Sequence, residues 1–180
     1  SATLDDELKA AGFLACIRLN KINIIDELSI APKDNNLLSW CNMLLDFNRG
    51  NLGSARELSN SLDVVYLNTW QWYYLGEVAK NTNNVAPSDI YFNNSIISEK
   101  NVALSFKAKA DNAILLNQPQ TAVKALENYI LRIPEDYVSA LTLCKLYHNE
   151  KRYVKVVATL RYFVVRNKLD DEGYRLIGIA

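Results

Sequence analysis

The chain has 180 residues, 49% of them hydrophobic, and its 20 Lys and Arg balance its 20 Asp and Glu. That length can bury a substantial core, and a formal net charge of zero gives no overall pull toward nucleic acid or an anionic membrane. No apolar run approaches the roughly 20 residues that a membrane-crossing helix needs.

Residues 1–34 open with SATLDDELK, without Met and without a secretory leader pattern. This reads as a processed or engineered start and leaves a removed leader open. Leu4, Leu8 and Ala11 form one apolar stripe, Ile24 and Leu28 another, and Pro32 follows. Two readings are open for this part, a degenerate repeat or a pair of capping helices. Over 35–68, Trp40, Met43, Leu44 and Phe47 mark a helix, NRGN a turn, and LGSARELSNSL a second helix. Ala55 sits one place late against the period described next, so a one-residue slip is expected here.

From residue 69 onward the chain repeats itself. Stepping by 34 from Gly76 gives Ala110, Cys144 and Gly178. The column one place earlier reads Leu75, Lys109, Leu143, Ile177, and further columns read Trp72, Phe106, Ala140, Tyr174 and Phe92, Leu126, Leu160. A fixed period of this kind marks a repeat architecture. The small residues are expected where helices lie close together. One period holds two helices of roughly 12–14 residues and two short turns. In QTAVKALENYILRI, Val123, Leu126, Tyr129, Ile130 and Ile133 form a helical stripe that Pro134 ends. DYVSALTLCKLYH repeats the pattern with Val138, Leu141, Cys144, Leu146 and Tyr147, NEKR breaks it, and YVKVVATLRYFVV resumes it.

These columns resemble the tetratricopeptide repeat family. Unit 103–136 matches the family pattern at Phe106, Ala110, Ala122, Leu126 and Pro134; unit 69–102 at Trp72, Leu75, Gly76 and Phe92; unit 137–170 at Leu143, Tyr147, Tyr153 and Leu160. Departures are Ser88 and Val156 at small-residue positions, Lys168 at the proline position, and the long turn NTNNVAPSD. The resemblance implies an all-α fold, a right-handed superhelical solenoid of antiparallel helix pairs. It divides the chain into 1–34, repeats at 35–68, 69–102, 103–136 and 137–170, and an incomplete or capping repeat at 171–180.

Little in the sequence suggests chemistry. Cys16, Cys41 and Cys144 share no metal-ligand spacing and read as reduced, mostly buried thiols in an intracellular setting. His148, the one histidine, reads as a surface residue at a helix end. The acidic clusters at 5–7, 135–136 and 170–172 fall where helices begin, where carboxylates cap free amides. RGNLG lacks the Lys-Ser/Thr of a phosphate loop. No catalytic residue, metal or cofactor is expected, and no enzyme activity.

Function must then come from a surface. The resemblance implies a concave groove lined by the first helix of each pair (the A helix). Carried onto this chain, its partner-binding residues are Met43 in one unit, Trp70, Tyr73 and Glu77 in the next, Leu104, Lys107 and Asp111 in the third, and Val138, Leu141, Lys145 and His148 in the fourth. Trp72 is expected in the core. The carboxylate grip of some co-chaperones does not fit: its first pair falls on Tyr73 and Glu77 or on Lys107 and Asp111, and its third on Val138 and Thr142 or on Glu172 and Leu176. Residues 137–180 carry a net charge of +4, read as a solvated face in preference to an acidic-partner or nucleic-acid dock. The resemblance implies a scaffold or adaptor that binds a peptide or helix of a protein partner, in the cytoplasm, with a compact chaperone for secreted or assembly proteins as the alternative. No small-molecule substrate or nucleic acid is expected. Tyr174, Ile177 and Gly178 open a further repeat, so the chain is expected either to be part of a longer array or to associate end to end through 171–180. Saturating zinc, magnesium or ATP should leave the melting temperature unchanged; a ligand at 100 times its Kd would add about 2.7 kcal/mol and be plainly visible in a thermal shift.

Overall fold

The computed structural model describes residues 3–28, 32–64, 67–99 and 102–179. Ala180 of the closing segment lies outside them, as does the side chain of Leu28. The described residues form α-helices joined by short turns: α1 Leu4–Arg18, α2 Ile22–Leu28, α3 Asn35–Arg49, α4 Leu52–Ser61, α5 Thr69–Asn81, α6 Val85–Ser98, α7 Ala103–Leu115, α8 Pro119–Arg132, α9 Tyr137–Asn149, α10 Tyr153–Val164 and α11 Asp171–Ile179. The starts of α5, α7, α9 and α11 step by 34, as do those of α6, α8 and α10.

Two features set these boundaries. Most A helices begin at side-chain caps; α7, which follows Val102, has none. Thr3 and Asp6 form a capping box at α1, Asp34 caps α3, Asn68 and Gln71 form a capping box at α5, and Asp136 caps α9. At α11 the Gly173 amide donates to Asp170 Oδ1 at 2.9 Å. The A helices end in a left-handed residue, at Asn20, Gly50, Asn83, Asn117 and Lys151. The next amide then donates back to a carbonyl five residues upstream, as in Asn84 to Ala79 at 2.8 Å, Gln118 to Ala113 at 2.7 Å and Arg152 to Tyr147 at 2.8 Å. This bond satisfies a last-turn carbonyl and reverses the chain, so the following helix packs antiparallel to the one before.

The chain divides into two compact units, 1–91 and 92–180. In the first, α3 packs on α1, α4 and α5, and α1 on α2. Its core holds Phe13, Ile17, Trp40, Cys41, Met43, Leu44, Leu75 and Val78, with Trp72 half-buried against it and stacked on Tyr91 at 5.9 Å. In the second, α8 packs on α7 and α9, and α10 and α11 pack on α9 and on each other. Its core holds Ala110, Leu126, Leu143, Cys144, Tyr147, Val156, Leu160 and Phe163. Ala110 and Cys144 are fully buried, as close packing at the small-residue column requires, whereas a Cβ at Gly178 would meet nothing within 4 Å. Gly173 is the tighter glycine: a Cβ there would lie 2.6 Å from Tyr137 Oη and 2.7 Å from Leu169 Cδ2.

Glu127 joins α8, α9 and α10. It accepts from Tyr147 Oη at 2.5 Å and from Lys155 Nζ at 2.7 Å, with Arg152 at 3.7 Å. Lys155 first and Tyr147 second hold its carboxyl below the usual range. Cys41 and Cys144 are buried free thiols that burial pushes up to about 12, and Cys16 is a half-buried free thiol.

Lys151 is the poorest residue for its left-handed turn, because its Cβ crowds the backbone there. Lys151→Gly should raise stability by about 0.5–1 kcal/mol, and Gly50→Ala should lower it by about 1 kcal/mol. Urea denaturation of the two variants measures both signs.

Candidate functional site

The first unit contains a cleft of about 780 Å³. Glu7, Ala10, Ala11 and Leu14 of α1 line one wall, spaced so that a single helix face turns inward. Asn36, Leu37 and Trp40 of α3 line another, with Asp34 at its N-cap. Trp70 and Gln71 open α5 at the third side, and Asp63, Leu67 and Asn68 come from the chain before it.

Hydrogen bonds hold this frame. The Lys33 amide donates to Asp6 Oδ1 at 2.6 Å, and the Thr3 hydroxyl donates to Asp6 Oδ2 at 2.9 Å, so the start of α1 is tied to the residue before the α3 cap. Asp6 is 5% exposed, and the Lys33 amide above all holds its carboxyl below the ordinary range. Asp34 Oδ1 accepts from the Asn36 and Leu37 amides at 3.0 and 3.1 Å. Asn36 donates to the Asp63 carbonyl at 3.1 Å and accepts from the Asp63 amide at 2.9 Å, which pins the chain after α4 to the start of α3. Asn68 and Gln71 cap each other's backbones at 2.9 and 3.0 Å.

Two lining residues stand out. Trp40 is 2% exposed, and its indole N–H is buried with no acceptor among the described residues. An unmet buried donor costs about 1–3 kcal/mol. Trp70 is half-buried: the Arg18 guanidinium lies 4.3 Å from its ring centre, and Tyr73 meets it edge-on at 6.0 Å. Among the described residues no group of three His, Cys, Asp or Glu is placed to hold a metal ion. No helix of the described residues is long and apolar enough to cross a membrane.

The sequence-derived candidates distribute unevenly. In the first unit, Trp70 lines the cleft and Tyr73 touches it through Trp70, while Glu77 accepts from Lys80 at 2.8 Å beyond it. Met43, expected at the groove surface, is fully buried. The correction is one of helix phase: Met43 follows Trp40 by three residues and so shares its inward face. In the second unit Leu104 and Val138 are exposed, at 39% and 72%. Lys107 pairs with Asp111 at 3.2 Å, and Lys145 with Glu172 at 3.0 Å. Leu141 is half-buried against that unit's core, and His148 lies edge-on to Tyr153 at 5.5 Å with its Nε2 buried. Trp72, expected in the core, is only half-buried, and the first unit's buried tryptophan is Trp40.

Comparison with family models and with curated proteins gives no match. Among solved structures the chain is similar to a tetratricopeptide repeat protein from Parabacteroides merdae ATCC 43184, with a TM-score of 0.65 at 14% identity over 77% of this chain and 59% of that one. It is also similar to the MamA protein, with a TM-score of 0.63 at 15% identity over 93% of each chain.

The chain has a tetratricopeptide-repeat fold.

It spans about 59% of the length of the Parabacteroides protein, and at such identities the likeness carries the fold alone. The cleft's walls come from the A helices α1, α3 and α5 and from the chain before α5. The sequence reading missed the α1 wall. Its signal lay in the turns. The carbonyls that accept the reversing bond are Cys16, Asp46, Ala79, Ala113 and Tyr147, so the step is 30, then 33, then 34 twice. A strict count of 34 therefore runs past α1.

Asp6 gives the cleft a pH dependence. Its carboxyl is depressed in the folded state, so its contribution is complete above the unfolded value of about 3.9 and is lost as pH falls through the lower folded value. Asp6→Asn should lower the melting temperature near neutral pH, and the gap to the unsubstituted chain should begin to narrow as pH falls below about 3.9 and close once pH is below the folded carboxyl's own, lower value. Thermal melts across pH measure this directly.

Proposed function

We propose that the protein is an interaction scaffold or adaptor that holds a peptide or helix of a partner protein in the cleft of its first unit. The observation that carries this reading is the cleft itself: about 780 Å³, walled by Leu14, Leu37, Trp40, Leu67 and Trp70, with polar groups among them. Apolar walls with a few placed polar groups suit a side chain anchored in a pocket. Binding without catalysis belongs to the proposal. The amides of Asn36, Asn68 and Gln71 and one oxygen of Asp34 are spent on backbone bonds, so they shape the cleft and are not poised for proton transfer. The exposed Leu104 and Val138 are proposed as contact residues on the second unit's own A helices. The same reading keeps the repeat division at 35–68, 69–102, 103–136 and 137–170, with 171–180 opening another, on the strength of the helix starts. It also keeps a cytoplasmic setting, for which the free thiols Cys16, Cys41 and Cys144 speak.

A random peptide library displayed on phage and panned against the full chain tests the reading. Recovered peptides should bind the cleft: Trp70→Ala should weaken them at least about tenfold, as loss of an aromatic anchor does, while leaving the melting temperature within a few degrees. Peptides that ignore Trp70→Ala would contradict the reading.

A further inference from the structure

Resting on the cleft reading above, we propose that the bound segment is cationic, with a Lys or Arg flanked by apolar residues. Three carboxylates line the cleft, Glu7, Asp34 and Asp63, and no Lys or Arg lines it. Glu7 is exposed and has no cationic partner among the described residues; the neighbouring Lys9 pairs with Asp5 at 2.6 Å instead. Asp34 spends Oδ1 on the α3 cap and keeps Oδ2 for a ligand. The carboxylates stand beside the apolar faces of Leu14, Leu37 and Trp40. A carboxylate in a recess with low-dielectric walls attracts a cation more strongly than one on an open surface and penalises an acidic segment equally.

Two further observations describe the surroundings a bound segment would meet. The buried Trp40 indole N–H lacks an acceptor, and a main-chain carbonyl of a bound segment would satisfy it once the ring turns toward the cleft. The Trp70 ring stacks on the Arg18 guanidinium at 4.3 Å; that face is taken by the chain's own arginine, so the segment's cation belongs with the carboxylates and its apolar neighbour with the rest of the indole. The segment the geometry points to therefore offers an ammonium or guanidinium to the carboxylates, an apolar neighbour to Leu14 and Leu37, and a backbone carbonyl to Trp40.

The library panned on the full chain reads this out through charge. Recovered peptides should be enriched in Lys and Arg next to apolar residues and depleted in Asp and Glu. A selected peptide should bind about tenfold more weakly to the triple variant Glu7→Gln, Asp34→Asn, Asp63→Asn, and weaken similarly as NaCl rises from about 50 to about 300 mM. Asn caps a helix as well as Asp, so the variant should melt with the unsubstituted chain, and the melt is measured alongside. Replacing the peptide's cation by norleucine should cost the same factor in the unsubstituted chain and nothing further in the variant. Peptides without charge enrichment, or indifferent to the triple variant yet lost on Trp70→Ala, would overturn the cationic inference and leave the cleft reading standing. Peptides indifferent to both, or none recovered, would overturn both.

Discussion

At the end of every A helix the chain must reverse within about three residues while the carbonyls of the last turn still need donors. The solution recurs at Asn20, Gly50, Asn83, Asn117 and Lys151: one residue turns left-handed, and the next amide bonds back across the turn at 2.7–2.8 Å. Within the two units these reversals lay α2 on α1, α4 on α3, α8 on α7 and α10 on α9. Three of the five positions are Asn, which tolerates the left-handed region better than other residues with a side chain. The frequency of Asn in this chain thus has a structural meaning at these turns.

The cleft follows from this arrangement. With α3 packed on both α1 and α5 in the first unit, side-chain to backbone bonds tie the start of α1 to Lys33 and the start of α3 to Asp63 in the chain before α5. The same bonds that end the helices cleanly also fix the spacing of the walls. The carboxylates of Glu7, Asp34 and Asp63 and the Trp40 and Trp70 indoles line the recess that this frame shapes.

The helical register was legible from residue 69 because the packing at Ala110, Cys144, Leu126, Leu160 and Phe92 demands particular sizes at fixed spacing. It blurred earlier because turn length is not constrained by packing. The left-handed turn accepts Gly or Asn at 50 or 20 with no other mark, so the steps of 33 and 30 leave no trace in a column count. Of the site's lining residues the sequence pointed only to Trp70. Met43 misled because a helix carries its inward and outward faces within one turn, and a one-residue shift of phase moves a side chain between them. The α1 wall was hidden by the same shortened step, and the unmet Trp40 donor is a property of three-dimensional surroundings that no sequence column encodes.

The proposed seat of a partner segment is the A-helix cleft of the first unit. The most direct measurement is the nuclear magnetic resonance spectrum of the tryptophan indole N–H groups, with backbone amides, on addition of a library-selected peptide. The account predicts shifts of the Trp40 and Trp70 indoles together with the amides of Glu7, Ala11, Leu37 and Gln71, and a quiet Trp72. Shifts confined to the second unit's α8 and α10, around Leu131 and Val154, would contradict it.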